Sequence, residues 1–453
     1  MLTEHTINLL NKLAEENRSL IYETGDYIWK NPETGYREWK SSAYLAGRFK
    51  QLGYNVVLME DIPGFYADLD TGRPGPGLAI LGELDSIICK SHPEADPETG
   101  AVHACGHHSQ CAYLAGTAAI MRNEEVLSNL SGKIRFVAVP AEELIELEFR
   151  KSLKNRGIVK YFGGKVEFLH RGIFDNVDAA IMLHSGSASE KKAITIYKGN
   201  NGCLTKNICY TGIAAHAGGS PDKGVNALYA AMLGLGAINS IRETFKEENV
   251  TRVHPIISDG GTAVNVIPDL VRLESFVRGS SPDAIVRENK KVNRALAGAA
   301  LSLGAGIRVD DVPGYMPLHN ANKLKAIAKE LGELFPGKEI LLSNDNWHAG
   351  STDMGDLSCV LPVLHPNGGG AEGISHGNDY KMTDPELSYM HSTRFICGLA
   401  YSLLCNEGSR LKKVKEDYKP LFKDYSAYFN FIDKLFCEQE LIKYDGDSAI
   451  VNW

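Results

Sequence analysis

The sequence predicts an α/β fold, a larger mixed-sheet α/β/α domain interrupted by a smaller α+β domain. Three observations carry this. Strand-like and helical runs alternate through residues 1–192, the order changes over 193–312, and the alternation resumes over 313–453. A chain of 453 residues also exceeds what one hydrophobic core usually serves. The expected organisation is therefore a discontinuous domain, 1–192 with 313–453, holding 193–312 as an insert.

Thr3 can cap a first helix reaching about residue 31, with Ile7, Leu10, Leu13 and Ile21 at apolar positions and Pro32 ending it. Residues 38–52 read as a second helix closed by Gly53. Strand-like runs follow at 55–60, 65–70 and 77–82, separated by Pro63-Gly64 and by the Gly/Pro-rich run from Gly72 to Gly77. The third runs into Glu83-Leu84-Asp85, placing carboxylates where a strand meets a loop.

Next comes the stretch His103-Ala-Cys-Gly-His-His-Ser-Gln-Cys111. Cys105 and His107, separated by Gly106, can bring a thiolate and an imidazole to one point, a donor pair suited to a transition metal. Taken alone, Cys105 is more often a small buried hydrophobe. Two later strand ends change that balance. The strand 133–139 enters Pro140-Ala141-Glu142-Glu143, whose adjacent carboxylates repel unless a cation shares them, although acidic residues also suit a helix start. A loop with basic character follows, and then the strand 177–183 ends on His184. Functional groups of α/β sheets gather at such carboxyl ends.

In the insert, strands are expected at 193–197, 203–210, 253–258, 270–277 and 307–312, with helices at 225–245 and 282–303. The order fits a ferredoxin-like α+β sandwich. Beyond it come a helix at 320–334, a loop segment at 343–358, a strand at 359–364, a glycine loop Gly368-Gly369-Gly370 leading to His376, and a helix at 385–405. The tail from about residue 408 mixes Lys and Glu with Tyr, Phe and Leu, and is expected to form one or two amphipathic helices.

A net charge of −8 without a basic block argues against nucleic-acid binding. No apolar run reaches the length of a membrane span, and the N-terminal residues lack the features of a secretory signal. Nine scattered cysteines without framework spacing read as reduced thiols, so a cytoplasmic enzyme is expected. A Pro-Cys-x-x-Cys, a phosphate-binding Gly-x-x-x-x-Gly-Lys loop, a His-Glu-x-x-His helix and a nucleophile elbow are all missing from the sequence. That disfavours the nucleobase-deaminase and serine-hydrolase readings.

The residues taken together resemble the aminoacylase/carboxypeptidase superfamily of metallopeptidases. The resemblance is to its amidohydrolase branch of N-acyl-amino-acid, auxin-conjugate and p-aminobenzoyl-glutamate hydrolases. It rests on Asn31-Pro-Glu-Thr-Gly-Tyr36, Glu83-Leu-Asp85, Ala104-Cys-Gly-His107, Pro140-Ala-Glu-Glu143 and the strand end at His184. His216-Ala-Gly218, Gly261-Thr-Ala-Val-Asn-Val-Ile-Pro268, Ser351-Thr-Asp-Met-Gly-Asp356 and His376 complete it in order. It implies a zinc-peptidase-like catalytic domain with a lid that also forms a homodimer. It also implies two divalent metal ions per subunit, zinc or manganese, held by Cys105, His107, Glu143, His184 and His376. Glu142 would be the general base, and His216 would reach the substrate carbonyl in the neighbouring subunit's site. Asn265 and Arg278 would offer polar groups to an N-acyl amino acid or short peptide. A catalytically silent, metal- or ligand-binding relative is the alternative.

This chain departs from the family pattern at His108 and Gln110, where Asp and His are usual. An Asp there could orient a ligand histidine, a role Asp85 could take instead. For His108, a further ligand, a substrate contact and a structural donor all stay open, which bears on the second metal site.

Overall fold

In the computed structural model, which describes residues 2–186, 192–335 and 339–453, the strand Gly77–Glu83 lies inside a six-stranded sheet. The sheet order is Val56–Leu58, Phe65–Asp70, Lys133–Val139, Gly77–Glu83, Ala179–Ile181, Val363–Leu364. Its inner strands are parallel, and Phe65–Asp70 runs antiparallel to Lys133–Val139. Leu78, Ala79, Ile80 and Leu81 are all fully buried, as in a strand covered on both faces. In register, Glu83 pairs with Val139. The two strands therefore end level, and the segment after Glu83 emerges beside Pro140.

The helix His107–Met121 is buried on nearly every side. Its small residues allow this: a Cβ on Gly116 would lie 2.6 Å from Ile21 Cγ1. Around it and the sheet, one continuous core runs from Leu10 and Ile21 through Phe136 and Ile181 to Phe395 and Leu411.

The chain divides into two compact units. The first is Met1–Gly199, His319–Asn346 and Asp356–Leu421; the second is Asn200–Leu318, Trp347–Gly355 and Phe422–Trp453. In the second, an antiparallel sheet runs Arg252–Val253, Leu270–Gly279, Gly202–Thr211, Gly306–Pro313, Cys437–Glu440. Helices Ala227–Ile241 and Pro282–Ser302 share its core, with Tyr210, Ala230, Leu273, Leu296 and Ile307 among the buried residues. Asn226 and Ser281 cap them by accepting from Tyr229 N and Ala284 N.

Several elements differ from expectation. The first helix is two, Glu4–Glu16 and Arg18–Lys30, broken at Asn17. The segment expected as a basic loop carries helices Leu147–Asn155 and Gly164–His170. Residues 339–348 are a strand, which takes in part of the expected loop at 343–358.

The tail agrees with expectation in part: the helix ending at Asp417 is broken at 405–408, so its last part opens the tail, and Tyr425–Ile432 is a second helix. The correction lies beyond it, where Cys437–Glu440 joins the sheet of the second unit, and Ile442–Asp445 and Ser448–Val451 form a hairpin. The tail therefore belongs partly with the second unit rather than wholly with the larger domain. The physical reason is an edge: Gly306–Pro313 has backbone groups that need partners, and the tail supplies them. Leu441, fully buried, and Ile442 enter the core there.

Candidate metal centre

The proposed metal-site residues lie in the first unit, Cys105, His107, Glu143 and His184 at or just past ends of elements and His376 in the loop between Ala371–Glu372 and Lys381–Met382. Gly106, at φ 90°, turns the chain tightly into the helix His107–Met121, so Cys105 and His107 project from one corner. Ala141, at φ 57°, makes a second sharp turn that carries Glu142 and Glu143 off the end of Lys133–Val139. His376, at φ 68°, is held by its N–H donating to Ala104 O at 2.9 Å.

Three groups of donor atoms result, each with its atoms within 4.8 Å of one another: Cys105, His107 and His184; Cys105, Glu143 and His376; and Glu83, His107 and Glu142. Cys105 Sγ lies 3.3 Å from His184 Nε2, and Glu143 Oε1 lies 3.0 Å from His376 Nε2. Burial and Glu143 push the Cys105 thiol up, but the imidazoles of His184 and His107 outweigh them and bring it down to about 6. Burial also works to raise Glu143, yet the hydrogen bond and charge of His376 hold it down at about 2. Hydrogen bonds to Cys105 and Glu143 lift His376 to about 11.

Asp85 ties the two sides together. Its carbonyl lies 2.9 Å from His107 Nδ1, and its Oδ2 accepts from Glu143 N at 2.8 Å. With Nδ1 donating to Asp85, His107 Nε2 presents its lone pair to the cluster. That Nε2 is buried 3.1 Å from Glu83 Oε2, without an aligned hydrogen bond. An imidazole nitrogen gathered with a thiol and carboxylates in this way is a donor set that fits divalent cations.

Behind His107 is a buried network to which the sequence alone assigns no function. Glu83 forms an ion pair with the wholly buried Lys165, and Gln110 Nε2 donates to Glu83 Oε2 at 2.7 Å. Burial works to raise Glu83, but Lys165 and then His107 overcome it and hold the carboxyl well below the usual carboxylate range. Gln110 has a legible signal, since it stands three residues after His107 on one helix face. Lys165, far along the chain, has none.

His108 is fully buried and outside all three donor groups; its ring packs edge-on to Trp29, with centroids 4.8 Å apart, and its nitrogens have no hydrogen-bond partner. Burial first, then His107, lower it to about 3, so it is neutral.

The lid residues named from the sequence lie in the second unit. His216 is exposed, its Nδ1 accepting from Gly218 N and Gly219 N at 3.2 and 3.0 Å. Asn265 is also exposed, and its carbonyl accepts from Ala217 N at 3.0 Å. Arg278 is half-buried and donates through Nη1 to Ser351 Oγ at 3.1 Å.

The sequence matches the model of peptidase family M20/M25/M40 over residues 65–401. The chain belongs to this family. It is 28% identical over 412 residues to the Xaa-Arg dipeptidase of Homo sapiens, covering 86% of this chain and 87% of that one. It is 27% identical over 422 residues to a p-aminobenzoyl-glutamate hydrolase polypeptide of Escherichia coli, covering 78% and 81%. Against the indole-3-acetyl-aspartic acid hydrolase of Enterobacter agglomerans the identity is 25% over 359 residues, covering 68% and 76%. Among solved structures, a putative aminohydrolase of Staphylococcus aureus superposes with a TM-score of 0.69 at 21% identity, covering 88% of this chain and 99% of that one. A dinuclear metal-binding M20 peptidase of Bacillus subtilis gives 0.64 at 18% identity, covering 86% and 99%. This M20 chain is thus a hydrolase of amide or peptide bonds, with the mixed α/β fold of its relatives.

Proposed function

We propose that this M20 hydrolase cleaves the amide bond of N-acyl or N-aroyl amino acids or of short peptides, using two divalent metal ions and Glu142 as general base. The observation that carries the reading is the pair of donor triads sharing Cys105, with the buried Glu142 in a third group beside them. Cys105, His107 and His184 would hold one ion, and Cys105, Glu143 and His376 the other. Bound there, zinc or manganese would polarise the amide carbonyl and acidify a water at neutral pH.

The chain's own residues do the rest. Asp85 fixes the His107 tautomer and the Glu143 backbone. Glu142 takes the proton from the attacking water and passes it to the leaving amine nitrogen. His216, from the lid of the neighbouring subunit, would donate to the developing oxyanion. Asn265 and Arg278 bind the amino-acid half, with Arg278 meeting its carboxylate. Arg278→Ala should therefore raise KM for an acidic substrate far more than for its amide; equal effects would remove Arg278 from this role.

Dimerisation through the second unit accords with its exposed apolar side chains: Tyr229 is 61% exposed, Met232 55% and Ile256 61%. A reducing, cytoplasmic setting accords with nine free cysteines. Among the described residues no helix is long and apolar enough to cross a membrane.

The reading is tested by elemental analysis of protein purified without chelator, together with a panel of N-acyl amino acids, dipeptides and p-aminobenzoyl-glutamate. Two metals per chain and turnover that a chelator abolishes are expected. No turnover after supplying zinc or manganese would favour a silent binding relative.

A further inference from the structure

The helix Leu147–Asn155 follows the Glu142-Glu143 turn and carries Arg150, a guanidinium with 0% exposure. No solvent or substrate reaches it. Its donors point instead at the backbone of the turn. Nη1 donates to Ala141 O at 3.2 Å and to Phe162 O at 2.6 Å, and Nη2 donates to Glu143 O. Arg150 thus grips the carbonyls on both sides of Glu142.

The turn needs such a grip. Ala141 lies in the left-handed region at φ 57°, where a residue with a Cβ is strained. Its N–H donates to Oε1 of the buried Glu38 at 2.7 Å, so acid and guanidinium hold the peptide from opposite sides. Gly35 makes room: a Cβ there would lie 2.3 Å from Arg150 Nη2 and 3.0 Å from Ala141 Cα. The guanidinium also lies over the Tyr36 ring, 5.6 Å from its centroid. The helix is pinned to the same loop by Arg37, which pairs with Glu146 at 2.9 Å and stacks over Phe149 at 3.9 Å.

We infer that Arg150 is a positioning residue for Glu142, holding the left-handed turn from which the carboxylate is presented. The inference rests on Glu142 being the base proposed above. A planar fork with five donors can bridge three carbonyls at once; an ammonium keeps the charge but not that geometry. Displacing a base by about 1 Å can cost on the order of 100-fold in rate.

The test is Arg150→Lys, with Gly35→Ala, whose Cβ would press on both the guanidinium and Ala141, as a second perturbation of the same turn and Glu142→Ala in parallel. For both perturbing variants the expected result is a kcat reduced about 10- to 100-fold with KM within about twofold and metal content unchanged. A crystal structure of Arg150→Lys reads the question without activity: the expected result is Ala141 displaced from its left-handed conformation. An unmoved turn, an unchanged kcat, or activity lost only in proportion to metal would each overturn the assignment. If Glu142→Ala is inactive while Arg150→Lys turns over normally, only the role of Arg150 falls. If Glu142→Ala keeps its turnover, the general-base reading falls and the role of Arg150 falls with it.

Discussion

Cys105 Sγ stands 3.3 Å from His184 Nε2, and the same thiol belongs to a second donor triad with Glu143 and His376. One side chain therefore serves both halves of the cluster. Cys105→Ala should lower bound metal at both positions, and elemental analysis should find well under one ion per chain. A variant that keeps one full equivalent would show that the two triads do not depend on a shared thiolate.

Lys165 and Glu83 form a buried ion pair behind His107. Removing one partner strands the other's charge, which typically costs about 3–5 kcal/mol. Lys165→Met should lower the urea midpoint accordingly, and adding Glu83→Gln should restore much of it. Additive losses in the double variant would mean that the two side chains stabilise the fold independently.

The metal corner is legible from sequence because its signals are local. Cys-Gly-His places two donors by one glycine turn, and Glu142-Glu143 and His184 each follow an apolar strand whose end can be read from composition. Their convergence is what the parallel sheet adds, through the register of Glu83 with Val139. Arg150 and Lys165 are not legible. They lie in a segment whose basic composition suggests a solvated loop, yet tertiary contacts fold it into helices and bury both cations. The end of the tail misleads for a related reason. Helices form as its composition suggests up to Ile432, but past it an unpartnered strand edge claims the chain, and the two-residue Gly446-Asp447 connection is the local hairpin signal there.

That edge gives a third prediction. Deleting residues 436–453 uncovers the strand Gly306–Pro313 and removes Leu441 and Ile442 from the core of the second unit. The shortened protein should melt lower and elute in aggregated fractions on size exclusion, since an uncovered edge invites pairing with other chains. Unchanged melting and elution would mean that the tail strand adds nothing to the unit.

The two adjacent glutamates divide their work in the proposed mechanism, Glu143 toward metal and Glu142 toward the proton. This division is tested most directly by measuring metal content and turnover together in Glu142→Ala and Glu143→Ala. Glu142→Ala is expected to keep its metal and lose turnover, whereas Glu143→Ala loses metal and activity together. Equal loss of metal in both variants, or retained turnover in Glu142→Ala, would contradict it.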